Sequence, residues 1–138
     1  MSGSGWIAAV HLIGMAMLVG AVAVFDLRVL GLARSIPVRS LARLCLPWAV
    51  ASLLLIVPSG SLLFVARANE LLTSSLFLAK LGLLLLALVL AVAFHAGPYG
   101  SVDRWDVETP APWLAKLIAA ASLLVWIAVI VAGRMLAD

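Results

Sequence analysis

Four long stretches of this chain carry almost no charge, and they constrain its fold more than any other feature. They are WIAAVHLIGMAMLVGAVAVF at 6–25, the apolar part of LARLCLPWAVASLLLIVPSGSLLFVA at 41–66, FLAKLGLLLLALVLAVAFH at 77–95, and PWLAKLIAAASLLVWIAVIVAG at 112–133. A bilayer core about 30 Å thick is crossed by roughly 20 residues of helix, and each stretch meets that length. Strands are excluded because an open sheet edge leaves backbone polar groups unsatisfied in hydrocarbon. The expected spans are about 6–25, 43–66, 76–95 and 112–134. Short connections place sequence neighbours antiparallel. The fold class is therefore all-α, a four-transmembrane-helix up-down-up-down bundle forming one integral membrane domain over residues 1–138.

Composition agrees. The chain is 66% hydrophobic and 11% charged, whereas a water-facing domain is about a quarter charged. Lipid must cover what charged side chains cannot. The net charge of +3 is then a matter of topology, and no nucleic-acid partner is expected. A single cysteine, Cys45, excludes an intrachain disulfide. The opening MSGSGW lacks the basic residues of a signal peptide, so the first span is expected to be retained. Arg28, Arg34, Arg39 and Arg43 crowd the first connection, and Arg104 and Lys116 flank the third. Arg67, Lys80 and Arg134 lie towards the other face. Positive residues favour the cytoplasmic side, which puts both termini outside the cytoplasm.

Helical spacing sorts the residues into faces. In the first span Ala16, Gly20 and Ala23 form a stripe of small residues, expected to pack on a helix of this chain or of a second copy. In the second, Cys45, Trp48, Ser52 and Ser59 share a side, and Pro58 is expected to bend the helix. In the fourth, Ala115, Ala119, Ser122, Trp126 and Gly133 form a seam. Trp105 and Trp113 are expected at the headgroups in an aromatic belt.

The ionisable residues in or beside the spans are the candidate site residues. His11 lies inside span one and needs a hydrogen-bond partner, Ser122 or a backbone carbonyl, unless it serves as a ligand. Lys80 either snorkels to the headgroups or turns inward to hold an anionic group. His95 ends span three, where a helix C-terminus favours a partly positive imidazole. Lys80 and His95 share a face but are separated by roughly 22 Å of helix, so they are not expected to form one site. Asp26 and Arg28 mark the end of span one as a structural ion-pair pair of residues, with Arg104 or Lys116 as partners across helices for Asp26.

A haem is the one cofactor these residues suggest. His11 near one face and His95 near the other cannot clamp a single haem, so bis-histidine ligation would take two chains. His11 with Met135 is the alternative axial pair, with His11 as the ligand to the haem iron. No HExxH, CxxCH, P-loop or GxSxG occurs, and no enzymatic chemistry is expected from the side chains alone.

The segments HLIGMAMLVGAVAVFDLRVLGL, LPWAV, PSGSLLF, FLAKLGLLLLAL, Phe94-His95 and LLVWIAVIVAGR together resemble an uncharacterised family of small bacterial four-helix membrane proteins. The chain is also distantly similar to the membrane domain of copper-resistance D proteins and to cytochrome-b-type four-helix proteins. The first resemblance implies the bacterial inner (cytoplasmic) membrane; the others imply haem or copper. The expected function is a small integral membrane subunit that carries b-type haem and hands electrons on within a larger assembly. The alternatives are a cofactor-free scaffold or assembly subunit, and a small-solute or metal transporter acting as an oligomer. Its expected partners are the lipid bilayer and either further copies of itself, as a homo-oligomer, or a larger membrane complex.

Overall fold

The structure, a computed structural model, describes residues 3–137. Helix α1 runs over Gly3–Leu30, α2 over Val38–Ala66, the short α3 over Ala68–Leu72, α4 over Ser75–Ala96 and α5 over Trp113–Ala137. A 3-10 segment, Pro98–Arg104, begins the third connection. Helices α1, α2, α4 and α5 are each long and apolar enough to cross a membrane, and the chain is a four-span helical bundle.

Local chemistry sets the helix ends. Helix α1 outruns the uncharged stretch and stops at Gly31, whose φ of 125° suits glycine alone. Leu32 N–H reaches back to the Leu27 carbonyl and Gly31 N–H to the Arg28 carbonyl, each at 3.1 Å. These are the paired bonds of a glycine-terminated helix. Helix α2 starts directly after Pro37, five residues before the expected boundary at 43. It stays helical through both Pro47 and Pro58. Ser74 caps α4, its hydroxyl accepting from the Phe77 N–H.

Packing departs from simple sequence adjacency. Helix α1 lies between α2 and α5, and α4 packs on α5. The order around the bundle is α2, α1, α5, α4. Although α2 and α4 are joined by a short connection, they do not pack along their length. Residues 67–74 hold them apart, and they meet near that connection through the stacked rings of Phe64 and Phe77, 5.6 Å between centroids. The bundle is thus left unclosed along its α2–α4 edge. Small residues explain the two tight seams. Cys45, Ser52 and Ser59 of α2 are buried at seven-residue spacing, and Ala115, Ala119, Val125, Val129 and Ala132 are buried on α5. The α5 seam agrees with expectation at Ala115 and Ala119, then passes through Val125 and Val129.

Two expectations change. Within this chain the stripe packs on no helix: Ala16 and Gly20 are exposed, and a Cβ on Gly20 would meet nothing within 4 Å, which leaves packing on a second copy as the remaining alternative. The close approach of α1 to α2 falls instead at Gly14, where an added Cβ would lie 2.8 Å from Ile56 Cγ1. Trp105 is not in a headgroup belt. It is 2% exposed, sits in the core cluster with Val29, Val38, Phe94 and Val102, and its indole N–H donates to Ser101 Oγ at 3.1 Å. The third connection folds back over the bundle end, which removes Trp105 from lipid and water alike. Trp113, by contrast, is exposed.

Candidate functional site

Because α2 and α4 do not close, the four long helices surround a cavity of about 550 Å³. Its walls are apolar side chains such as Met15, Leu18, Leu53, Leu84 and Trp126, and its ionisable groups gather at the two ends. His11 and Lys80 line one end, and Asp26 and His95 the other. Each pair spans α1 and α4, which run in the same direction. The fifteen-residue separation on either helix puts the ends roughly 22 Å apart. Along the unclosed edge the lining residues Val57 and Leu88 stay 60% exposed, so the cavity opens sideways towards lipid.

At the first end His11 finds its partner on α2. Its Nδ1 lies 3.1 Å from Ser59 Oγ. The Ser59 hydroxyl donates to the Leu55 carbonyl and lies 3.3 Å from the Ile56 carbonyl. A hydroxyl has one proton. With it committed to the backbone, Nδ1–H donates to Ser59 and Nε2 keeps its lone pair. Gly60 makes room for the ring, since a Cβ there would lie 3.2 Å from His11 Cε1. The Pro-Ser-Gly motif at 58–60, read from sequence as a bend, therefore seats a histidine. A seryl-glycine inside an apolar span, at the depth of the one intramembrane histidine, was the available signal.

Lys80 turns inward. Its Nζ lies 3.6 Å from the position of a Cβ on Gly133 of α5. Among the described residues no hydrogen bond or ion pair to it is found. Of the two courses expected for this lysine, its stem takes the inward one, along the cavity wall towards α5.

At the second end Asp26 is 7% exposed. The Ser122 hydroxyl of α5 interacts with its carboxyl, yet among the described residues Oδ2 has no hydrogen-bond partner. Asp26 and Arg28 do not pair. Two residues apart on a helix, they point about 200° away from each other. Arg28 faces the connections, where Nε donates to the Ile36 carbonyl at 2.7 Å and Nη2 to the Asp106 and Arg34 carbonyls at 3.1 and 3.3 Å. Neither Arg104 nor Lys116 makes an ion pair with Asp26 among the described residues, whose ion pairs are Arg39–Asp103 and Arg67–Glu70. Asp106 also accepts from the Val38 and Arg39 N–H groups, at 3.0 and 2.9 Å. The first and third connections are thereby clasped together over this end. His95 is exposed at the rim, its ring 6.5 Å from that of Phe25 and 5.2 Å from that of Tyr99.

Within one chain His11, His95 and Met135 do not converge on a single point. His11 and His95 stand at opposite ends of the cavity. Met135 is 57% exposed and is no part of the wall, so it does not face His11 across a ring-sized gap. Among the described residues no group of three or more His, Cys, Asp or Glu is placed to hold a metal ion. What the arrangement offers is a long apolar slot with one hydrogen-bonding pole at each end.

Residues 4–137 match the model of a family of unknown function, DUF6644. The chain belongs to that family. No curated protein and no solved structure matches it.

Proposed function

We propose that this family member is a membrane-embedded binding protein that takes a lipophilic small molecule from the bilayer into its central cavity. The observation that carries this reading is the cavity of about 550 Å³ that opens between α2 and α4. That volume lies in the range of small-molecule sites, which pair apolar walls with a few polar groups. A helix from another chain fits the slot less well. It would lay apolar side chains against Lys80 and the unmet Oδ2 of Asp26, which keeps both polar atoms unpaired at a cost of several kcal/mol. The cytoplasmic face is assigned to the arginine-rich first connection by the positive-inside rule, which puts the Asp26 end inside and the His11 end outside in a bacterial inner membrane. Electron transfer has no support in the donor set, whereas carrier activity would follow naturally from a site reached from lipid.

The test is binding of a neutral fluorescent probe, 9-methylanthracene, to the full chain in phosphatidylcholine nanodiscs, with empty discs as background. Saturable binding is expected. Ala49→Trp, which fills the slot from the α2 side, should weaken it on the order of tenfold, the effect of losing most of one apolar contact surface. Thermal stability should not fall. Binding that never saturates, or a variant that binds as well as wild type, would remove the proposal.

A further inference from the structure

The second end of the cavity poses a chemical question of its own. Asp26 is more than nine-tenths buried, at 7% exposure, and its Oδ2 meets no donor among the described residues. A buried acceptor without a donor is rare and costly. Its neighbour Arg28 does not help, because it points to the other side of α1, where three of its five N–H donors hold backbone carbonyls. The Ser122 hydroxyl serves the carboxyl but leaves Oδ2 unmet. The oxygen belongs to a residue of the cavity wall, so the missing donor has a route to it.

We infer that Asp26 is the recognition group for an amine-bearing lipophilic ligand. This rests on the cavity-binding reading and names the chemical class of its ligand. A protonated amine brings both things the site lacks: an N–H for Oδ2 and a positive charge for the carboxylate. Such charge-assisted bonds are the strong ones, above all where water is excluded. The aromatic residues Phe25 and Trp126 both line the cavity and suit the apolar body of such a ligand. Lys80 stands at the far end, so the dipole of the cavity itself draws a cation to the Asp26 pole. The only other titratable groups on the wall near this pole are Cys45 of α2 and His95 of α4, and neither bonds Asp26 among the described residues.

The experiment compares 9-(aminomethyl)anthracene with 9-methylanthracene on the full chain in phosphatidylcholine nanodiscs. Wild type should bind the amine more tightly than the hydrocarbon by on the order of tenfold, the scale of one charge-assisted hydrogen bond. Asp26→Asn should bring the two affinities together. If Asp26→Asn keeps the amine preference, the assignment of Asp26 is overturned. If wild type binds the hydrocarbon and the amine equally, the cavity reading stands and the amine assignment falls. If neither probe binds, both fall. Should the variant not fold, the comparison on wild type decides alone. Preference for 9-anthracenecarboxylate over the amine would move recognition to Lys80 and also overturn the inference.

Discussion

Arg28→Leu is expected to destabilise the bundle by about 3 kcal/mol, because it removes a buried cation that ties three segments together. Arg28 is 3% exposed, and its guanidinium holds the Ile36, Arg34 and Asp106 carbonyls. Bonds from a charged donor contribute about 1.5–3 kcal/mol each when a buried acceptor would otherwise be left bare. Two of these acceptors keep a backbone donor after the change: Val38 N–H for Asp106 and Glu108 N–H for Arg34. The Ile36 carbonyl does not, which brings the expected loss to the scale of one or two such bonds, about 3 kcal/mol. Arg28→Lys should recover part of the loss, since an ammonium can reach some of the carbonyls but cannot reproduce the fork. SDS titration of the protein in mixed micelles measures the difference. A loss below about 1 kcal/mol for the leucine variant would show that the clasp is ornamental to stability.

Gly14→Val should separate α1 from α2 and disturb His11. An added Cβ at this site would stand 2.8 Å from Ile56 Cγ1, 3.0 Å from Leu55 Cβ and 3.3 Å from the Ile56 backbone nitrogen. Neither Cβ nor backbone can swing aside, so the helices themselves must move. Overpacking of this kind costs about 1–3 kcal/mol. One turn of helix away, the His11–Ser59 bond depends on the same interhelical distance, so the imidazole should lose its hydroxyl partner as well. The same titration reports the stability, and the proton resonance of the His11 ring reports the bond. Gly20→Leu is the contrast, because nothing lies within 4 Å of a Cβ there. Equal effects of the two substitutions on an isolated chain would contradict the packing described.

How much of this was legible beforehand varies residue by residue. The inward candidates His11, Lys80, Asp26 and His95 were legible as polar residues in or beside apolar spans, because placing such groups in hydrocarbon is costly whatever the fold. Their grouping was not. For His11 the sequence offers Ser122 or a backbone carbonyl, and the hydroxyl that meets it is Ser59. Asp26 was expected to find an arginine or lysine, and its Oδ2 finds none. Met135 was considered for its depth alone, and depth does not say which side of a helix faces the interior.

The sequence by itself determined the four spans, their helical nature and the side of the bundle where the arginines gather. Each of these follows from hydropathy, backbone satisfaction in lipid and charge, which are properties of a stretch read in isolation. Tertiary structure alone decided the order α2, α1, α5, α4, the unclosed α2–α4 edge and hence the cavity. In lipid, apolar faces have little preference for one another, so neighbours are chosen by close fit. That fit depends on where Gly14, Ser52, Ser59, Ala115 and Ala119 meet across helices far apart in the chain, and no single stretch contains it.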